Sequence, residues 1–306
     1  MSDWHVVPVD SDNAAAFVAY CRAHGAEHDE SNLPQDDFVP SAEYPAYLLT
    51  TGRATPGEMT GAEATAGATC LIREPGYVRE RIARFMILHA VEPSYEAYSA
   101  LLNALAPHVA DLDYAYGFIP EQFTAARQIW EELGLRVERY GYVMEHPGTA
   151  APSVALPDGY GFQPVHASDQ QALATFCELL NVSFAGQPQH VDADPAGLGR
   201  DITGPYGLPD GVMLLWGEGR PVGAVRVERD NTEPGAASID CVAVHPAYRG
   251  RGLGRLLIRQ ALSVAHRQGL HPVGLGVSAT NESAIRLYVG QGFHKKMVYV
   301  CYRWRP

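Results

Sequence analysis

Lysine is almost missing from this 306-residue sequence: Lys295 and Lys296 stand against 21 arginines. That bias points to GC-rich coding rather than to chemistry. No apolar run approaches the length of a membrane span, so no membrane contact is expected. The opening MSDWHVVPVD has neither the basic nor the apolar stretch of a secretory leader. Positive charge is in deficit, with a net charge of −12, which speaks against a general nucleic-acid binder. The five cysteines, Cys21, Cys70, Cys177, Cys241 and Cys301, are odd in number and scattered among apolar neighbours. They read as reduced core thiols of a cytoplasmic protein, not as a disulfide framework or a metal site. C-x-x-C, G-x-S-x-G and H-E-x-x-H do not occur, which disfavours thiol redox, serine hydrolase and zincin chemistry. His24 and His28 have the spacing of a helical metal pair. Gly25 is expected to end that helix, so HGAEHDE reads as a polar loop, and no metal is expected.

What is present is a globular composition, 46% hydrophobic and 19% charged, written twice. WHVVPVDSDNAAAFVAYC is echoed by YGFQPVHASDQQALATFC, with Pro8 matching Pro164 and Cys21 matching Cys177. Further on, ARFMILHAVEP is echoed by ASIDCVAVHP; Ala126, Trp130 and Gly134 then fall where Ala284, Tyr288 and Gly292 stand. Four matches in the same order indicate an internal duplication. Between the copies, HPGTAAPSVALPDG has the composition of a semi-stiff linker. The expected organisation is a domain over 1–146, a linker over 147–158 and a domain over 159–306. Asp10 and Ser11, and Ser168 in the second copy, are expected to cap the first helix of each.

The second copy reads as strand 160–165, helix 169–182, a loop to about 210, and a hairpin of strands 212–216 and 221–229. Strand 237–244, helix 253–267, strand 273–277, helix 282–290 and strand 296–304 follow. Hairpin strands mixed with strand–helix units predict an α/β (α+β) fold with a mixed sheet. Between strand 237–244 and helix 253–267 lies YRGRGLG. Its glycines let backbone amides converge, a helix N-terminus favours an anion, and Arg249, Arg251 and Arg255 add charge suited to a pyrophosphate. The loop lacks the Lys-Ser/Thr of a nucleotide-hydrolysing loop and the spacing of a dinucleotide fingerprint.

The strand, V-x-P and R-x-x-G-x-G (Arg249, Gly252, Gly254) resemble the acetyl-CoA loop of the GCN5-related N-acetyltransferase (GNAT) superfamily. About forty residues on, N-x-x-A-x-x-x-Y-x-x-x-G-F (Asn281, Ala284, Tyr288, Gly292, Phe293) resembles that family's second motif. The resemblance implies two tandem GNAT-like acyl-CoA N-acyltransferase domains, an arrangement that the family includes. It implies acetyl-CoA as co-substrate, held by the backbone of Val242 and Val244 and by Arg249, Gly250, Arg251, Gly252, Leu253, Gly254, Arg255 and Asn281. The acceptor would be the amine of a small molecule.

Tyr288 would be the general acid, the alternative being an ordinary core aromatic. Asp240, expected on the same side as Val242 and Val244, would be the general base, the alternative being a structural aspartate. Ser238 stands where other members keep a glutamate base, and Glu228 is a reserve candidate. FAGQPQHVDAD at 184–194 reads as a solvated loop on the acceptor side. In the first copy Glu96 replaces Arg249, Ala97, Ser99 and Leu101 replace the three glycines, and Phe123, Trp130 and Ile87 replace Asn281, Tyr288 and Asp240. That copy is therefore expected to be degenerate and non-catalytic. Two rival readings stay open: an acyl-CoA-binding sensor without catalysis, and an acyltransferase acting on a peptide or protein.

Overall fold

Apolar runs become strands where helices can cover both faces. In the computed structural model, which describes residues 4–51, 65–150 and 152–306, IARFMILHA is such a strand, buried along nearly its whole length. It belongs to a compact unit that runs to Tyr140 and takes in Val298–Pro306. The sheet order there is β1 (Trp4–Pro8), β2 (Ala46–Thr51), β3 (Thr65–Ile72), β4 (Ile82–Ala90), β5 (Tyr114–Pro120) and the end of β12 (His294–Trp304). All neighbours are antiparallel except β4 and β5. Helix α1 (Ala14–Ala23) fills one face with Phe17, Val18, Tyr20 and Cys21. Helices α3 (Tyr95–Leu105) and α4 (Thr124–Glu132) cover the other, and the short α2 (Pro75–Arg79) precedes β4.

The second unit runs from Gly141 to Met297 and follows the same plan. Its sheet begins with the end of β6 (Arg136–His146) and continues with β11 (Val273–Ser278), β10 (Ala237–Val244), β9 (Arg220–Arg229), β8 (Val212–Gly217) and β7 (Tyr160–Pro164). Only β10 and β11 are parallel. Helices α5 (Gln170–Phe184) and α6 (Pro195–Thr203) cover one face, and α7 (Leu253–Arg267) and α8 (Glu282–Val289) the other. Leu253, Leu257, Ile258, Ala261, Leu262 and Ala265 form the buried stripe of α7, at the spacing of a one-sided helix.

The units do not end where the duplication suggests. Gly141–His146 pair with β11, so the tail of the expected first domain closes the second unit's sheet. Tyr299–Trp304 pair with β5, so the last strand of the expected second domain closes the first unit's sheet. Period-two patterning says which face of a strand is apolar, not which sheet it joins. The expected linker has no helix or strand over 147–150 and 152–158, and residue 151 lies outside the described residues.

Two local expectations also change. The loop after α5 contains α6, opened by Pro195 and by the Asp194 carboxylate, which accepts from the Gly197 N–H at 2.9 Å; an Asp-Pro start is a helix signal that its glycines obscure. Helix α5 is capped by Asp169, which accepts from Ala172, rather than by Ser168. Asn13 precedes α1 without a side-chain cap, and Asp10 instead accepts from the amides of Asp12 and Asn13.

Candidate active site

Strands β9 and β10 pair from Ala237↔Arg229 to Val244↔Gly223, but the register slips between Ile239 and Cys241. Asp240 is the extra residue, a β-bulge. Ile239, Val242 and Val244 consequently pack on the α7 side, whereas Ala243 and Cys241 pack on the α5 side. Strand β10 is laddered to β11 only through Ala237–Ile239. Past the bulge, the backbone of Cys241–Val244 has no strand partner on that edge among the described residues. The Val244 carbonyl there accepts from Arg249 Nε at 3.3 Å, which leaves the Val242 backbone open to an extended ligand.

The bulge also corrects the expected direction of Asp240. Its side chain does not share the side of Val242 and Val244, because the extra residue breaks the alternation. It reaches the Arg226 guanidinium instead, with Oδ2 3.6 Å from Nη1. The same guanidinium holds Asp201 of α6 at 2.8 Å and Glu228 of β9 at 2.5 Å. Glu228 stands directly across the ladder from Ser238. Burial pushes its carboxyl up to about 7, against the pull of Arg226 and with the nearby Asp240 charge assisting. A carboxylate poised near neutrality suits a general base. The R-x-E alternation was visible in the sequence; its position opposite Ser238 needed the register.

The glycine loop opens α7 with no side-chain cap; the Arg255 amide turns back on the Gly252 carbonyl at 3.1 Å, and the amides of Leu253 and Gly254 before it are left uncapped. Gly250 and Gly252 have φ of +78° and +79°, the left-handed region that favours glycine. Gly254 serves packing: a Cβ there would lie 2.9 Å from Leu287 Cδ2. The arginines divide their work differently from the expected triple charge. Arg249 turns back on the protein, donating to the carbonyls of Ser183 at 2.7 Å and Val244 at 3.3 Å. It ties the loop to α5 and β10. Arg251 pairs with Glu218 at 3.0 Å and lies over the Tyr248 ring, and the Tyr248 hydroxyl donates to the same Glu218. Arg255 is exposed on the first turn of α7. Glu218, the turn residue of the β8–β9 hairpin that steadies this loop, gave no sequence signal beyond its place before Gly219.

Tyr288 projects from α8 and is 9% exposed. Burial pushes its hydroxyl up to about 12, with the Cys241 thiol adding to the effect, so it stays protonated at neutral pH. Asn281 caps α8, its Oδ1 accepting from the Ala284 amide at 3.2 Å and the Ser283 hydroxyl at 3.0 Å. The equivalent parts of the first unit differ. Its bulge, between Phe85 and Ile87, makes Met86 the counterpart of Asp240 in place of the expected Ile87. Helix α3 carries a cap where α7 has none: Ser94 Oγ accepts from the Ala97 amide at 3.2 Å.

Residues 178–293 match the Acetyltransferase (GNAT) family. A mycothiol acetyltransferase of Thermobispora bispora is 30% identical over 198 residues, which cover 62% of this chain and 64% of that protein. The match thus spans less than two thirds of that relative's length. A mycothiol acetyltransferase of Kocuria rhizophila is 26% identical over 306 residues, 87% of this chain and 97% of that protein. In fold, the chain is similar to a tandem GNAT protein from the clavulanic acid biosynthesis pathway, with a TM-score of 0.72 at 15% identity, covering 99% of this chain and 98% of that one. Residues 178–293 of the second unit thus match the acetyltransferase (GNAT) family, in a chain whose fold is similar to that of a tandem GNAT protein.

Proposed function

We propose that the chain is an acetyl-CoA-dependent N-acetyltransferase acting on the amine of a small molecule, with its working site in the second unit. The observation that carries this reading is the uncapped, glycine-led start of α7 next to the unpartnered edge of β10 past Asp240. One suits a pyrophosphate through backbone amides. The other suits an extended arm that adds as a strand would. The backbone of Val242 and Val244 would hold that arm, and the amides between Arg249 and Arg255 the phosphates. Arg249 would act by fixing the loop.

Acetyl-CoA supplies the activated acetyl group; the amine nitrogen bonds its carbonyl carbon as the carbon–sulfur bond breaks. Glu228 takes the proton that the amine must lose, with Asp240 and Arg226 setting its basicity. The Tyr288 hydroxyl gives a proton to the departing sulfur. A backbone N–H of the 242 region polarises the carbonyl. The first unit, with a capped α3 and Met86 at its bulge, is non-catalytic in this reading. The name shared by the two curated relatives supports a small-molecule acceptor of the mycothiol class.

The test is thiol release from acetyl-CoA against polyamines, amino acids, aminoglycosides and amino-sugar thiols, with acetyl-CoA binding followed by calorimetry. Turnover with one class, lost in Tyr288→Phe and Glu228→Gln, is the expected result. Binding of acetyl-CoA without turnover on any amine would favour a sensor instead.

A further inference from the structure

The first unit gathers metal-ligating side chains at a place where the second has none. His24 follows the last residue of α1, Glu27 closes the short 3-10 turn Gly25–Glu27, and His89 lies near the end of β4. The Glu27 carboxylate bridges the two imidazoles, with Oε1 2.9 Å from His24 Nδ1 and Oε2 3.3 Å from His89 Nε2. The rings of His24 and His89 are stacked at 4.7 Å between centroids. A tetrahedral ion with bonds of about 2.0–2.1 Å sets its ligand atoms roughly 3.3 Å apart. Each imidazole nitrogen lies near that distance from a carboxylate oxygen, and one ligand atom from each of the three residues lies within 4.8 Å of the others, so binding an ion requires the stacked rings to turn and their two nitrogens to draw together.

The surroundings support the same use. His89 Nδ1 lies 2.7 Å from the Tyr20 hydroxyl, the kind of outer partner that fixes the orientation and tautomer of a ligating imidazole. His28, 3% exposed, has a ring centroid 6.3 Å from that of His89, and its Nε2 is buried without a hydrogen-bond partner. A buried orphan nitrogen beside two other imidazoles is costly and calls for an explanation.

The second unit shows what this fold needs at the same positions. Helix α1 aligns with α5 through Cys21 and Cys177, and β4 aligns with β10 through the bulge residues Met86 and Asp240. Tyr20, His24, Glu27 and His89 then stand where Phe176, Leu180, Ser183 and Ala243 do. Phe176 and Ala243 are plain core residues, with Leu180 packed against them. The fold therefore closes this corner without ligating groups, yet three converge there in the first unit.

We propose that His24, Glu27 and His89 form a binding site for a divalent transition ion of the zinc class, with two nitrogens and one carboxylate oxygen as ligands. His89 is the buried anchor; His24 and Glu27, with 23% and 41% of their side chains exposed, face the solvent. The nitrogen-rich set selects against magnesium and calcium. The proposal stands independently of the acyl-transfer reading.

The experiment is calorimetric titration of the untagged, chelator-stripped full chain with zinc chloride, repeated with cobalt(II) chloride and read by its visible absorption. One ion per chain and a tetrahedral-type cobalt spectrum are expected. The melting midpoint should rise by about 5 °C or more at a hundredfold excess over Kd. In His24→Ala/Glu27→Ala, whose side chains reach solvent and whose fold is checked by far-ultraviolet circular dichroism, affinity should fall at least tenfold and the midpoint rise should vanish. His89→Gln, which keeps a polar group in the buried position, should behave alike. No ion bound by the wild type, or binding unchanged in the double variant, overturns the proposal.

Discussion

Glu228→Gln separates activity from stability in opposite directions. Removing a general base costs about 10²- to 10⁴-fold in kcat/KM. With the wild-type carboxyl at about 7, kcat/KM should rise with pH below that value and level off above it. The variant should lose that rising limb. Stability follows from the same shift, because a carboxyl whose folded value lies above its ordinary 4.5 binds its proton more tightly in the folded chain. The contribution is present below about 4.5 and is lost as pH rises to about 7, where the buried group must ionise. A displacement of this size corresponds to about 3 kcal/mol. Glutamine mimics the protonated acid, so the variant should be about 1–3 kcal/mol more stable than the wild type at pH 8, with the gap narrowing towards pH 5. Denaturant midpoints at the two pH values and a kcat/KM profile measure both effects. A variant that keeps the rising limb refutes the assignment of Glu228 and moves the base to Asp240, with Asp240→Asn as the next test.

Tyr288→Phe should lower kcat by about 10²-fold or more with little change in acetyl-CoA affinity, checked by kinetics beside calorimetry; unchanged turnover would make Tyr288 a plain core aromatic. Gly252→Ala forces a side chain into φ of +79°, a strain of about 1–2 kcal/mol, and should raise the KM for acetyl-CoA far more than it lowers kcat. Ending the chain after Met297 removes Val300, Tyr302 and Trp304 from the first unit's core, where they are at most 4% exposed. At about 1.5–3 kcal/mol each their loss should unfold that unit, read by near-ultraviolet circular dichroism and limited proteolysis. An isolated 1–146 fragment lacks the same strand and should fail in the same way.

Much of the local geometry was legible because it is short-range. A glycine that must take a positive φ and a strand that runs into a helix are short-range facts, and Gly252 and α7 take those places, whereas Asn281, expected as an acetyl-CoA contact, is found capping α8 seven residues before Tyr288. The element order of the second copy was legible for the same reason: β10 and α7 have the bounds that the pattern predicts. Three things needed tertiary structure. The bulge at Asp240 is a property of two strands together, and it turned that carboxylate towards Arg226 and left Glu228 opposite Ser238. Arg249 looked like a phosphate ligand until the carbonyls of Ser183 and Val244 came within its reach. His24 and His89 are 65 residues apart in the chain, and only the packing of α1 on the β4 face brings them onto one carboxylate. Composition and period fix which residues are buried, because burial is decided face by face. Which distant side chains meet is decided by strand register and partner, and those are set by pairings that no short window of sequence contains.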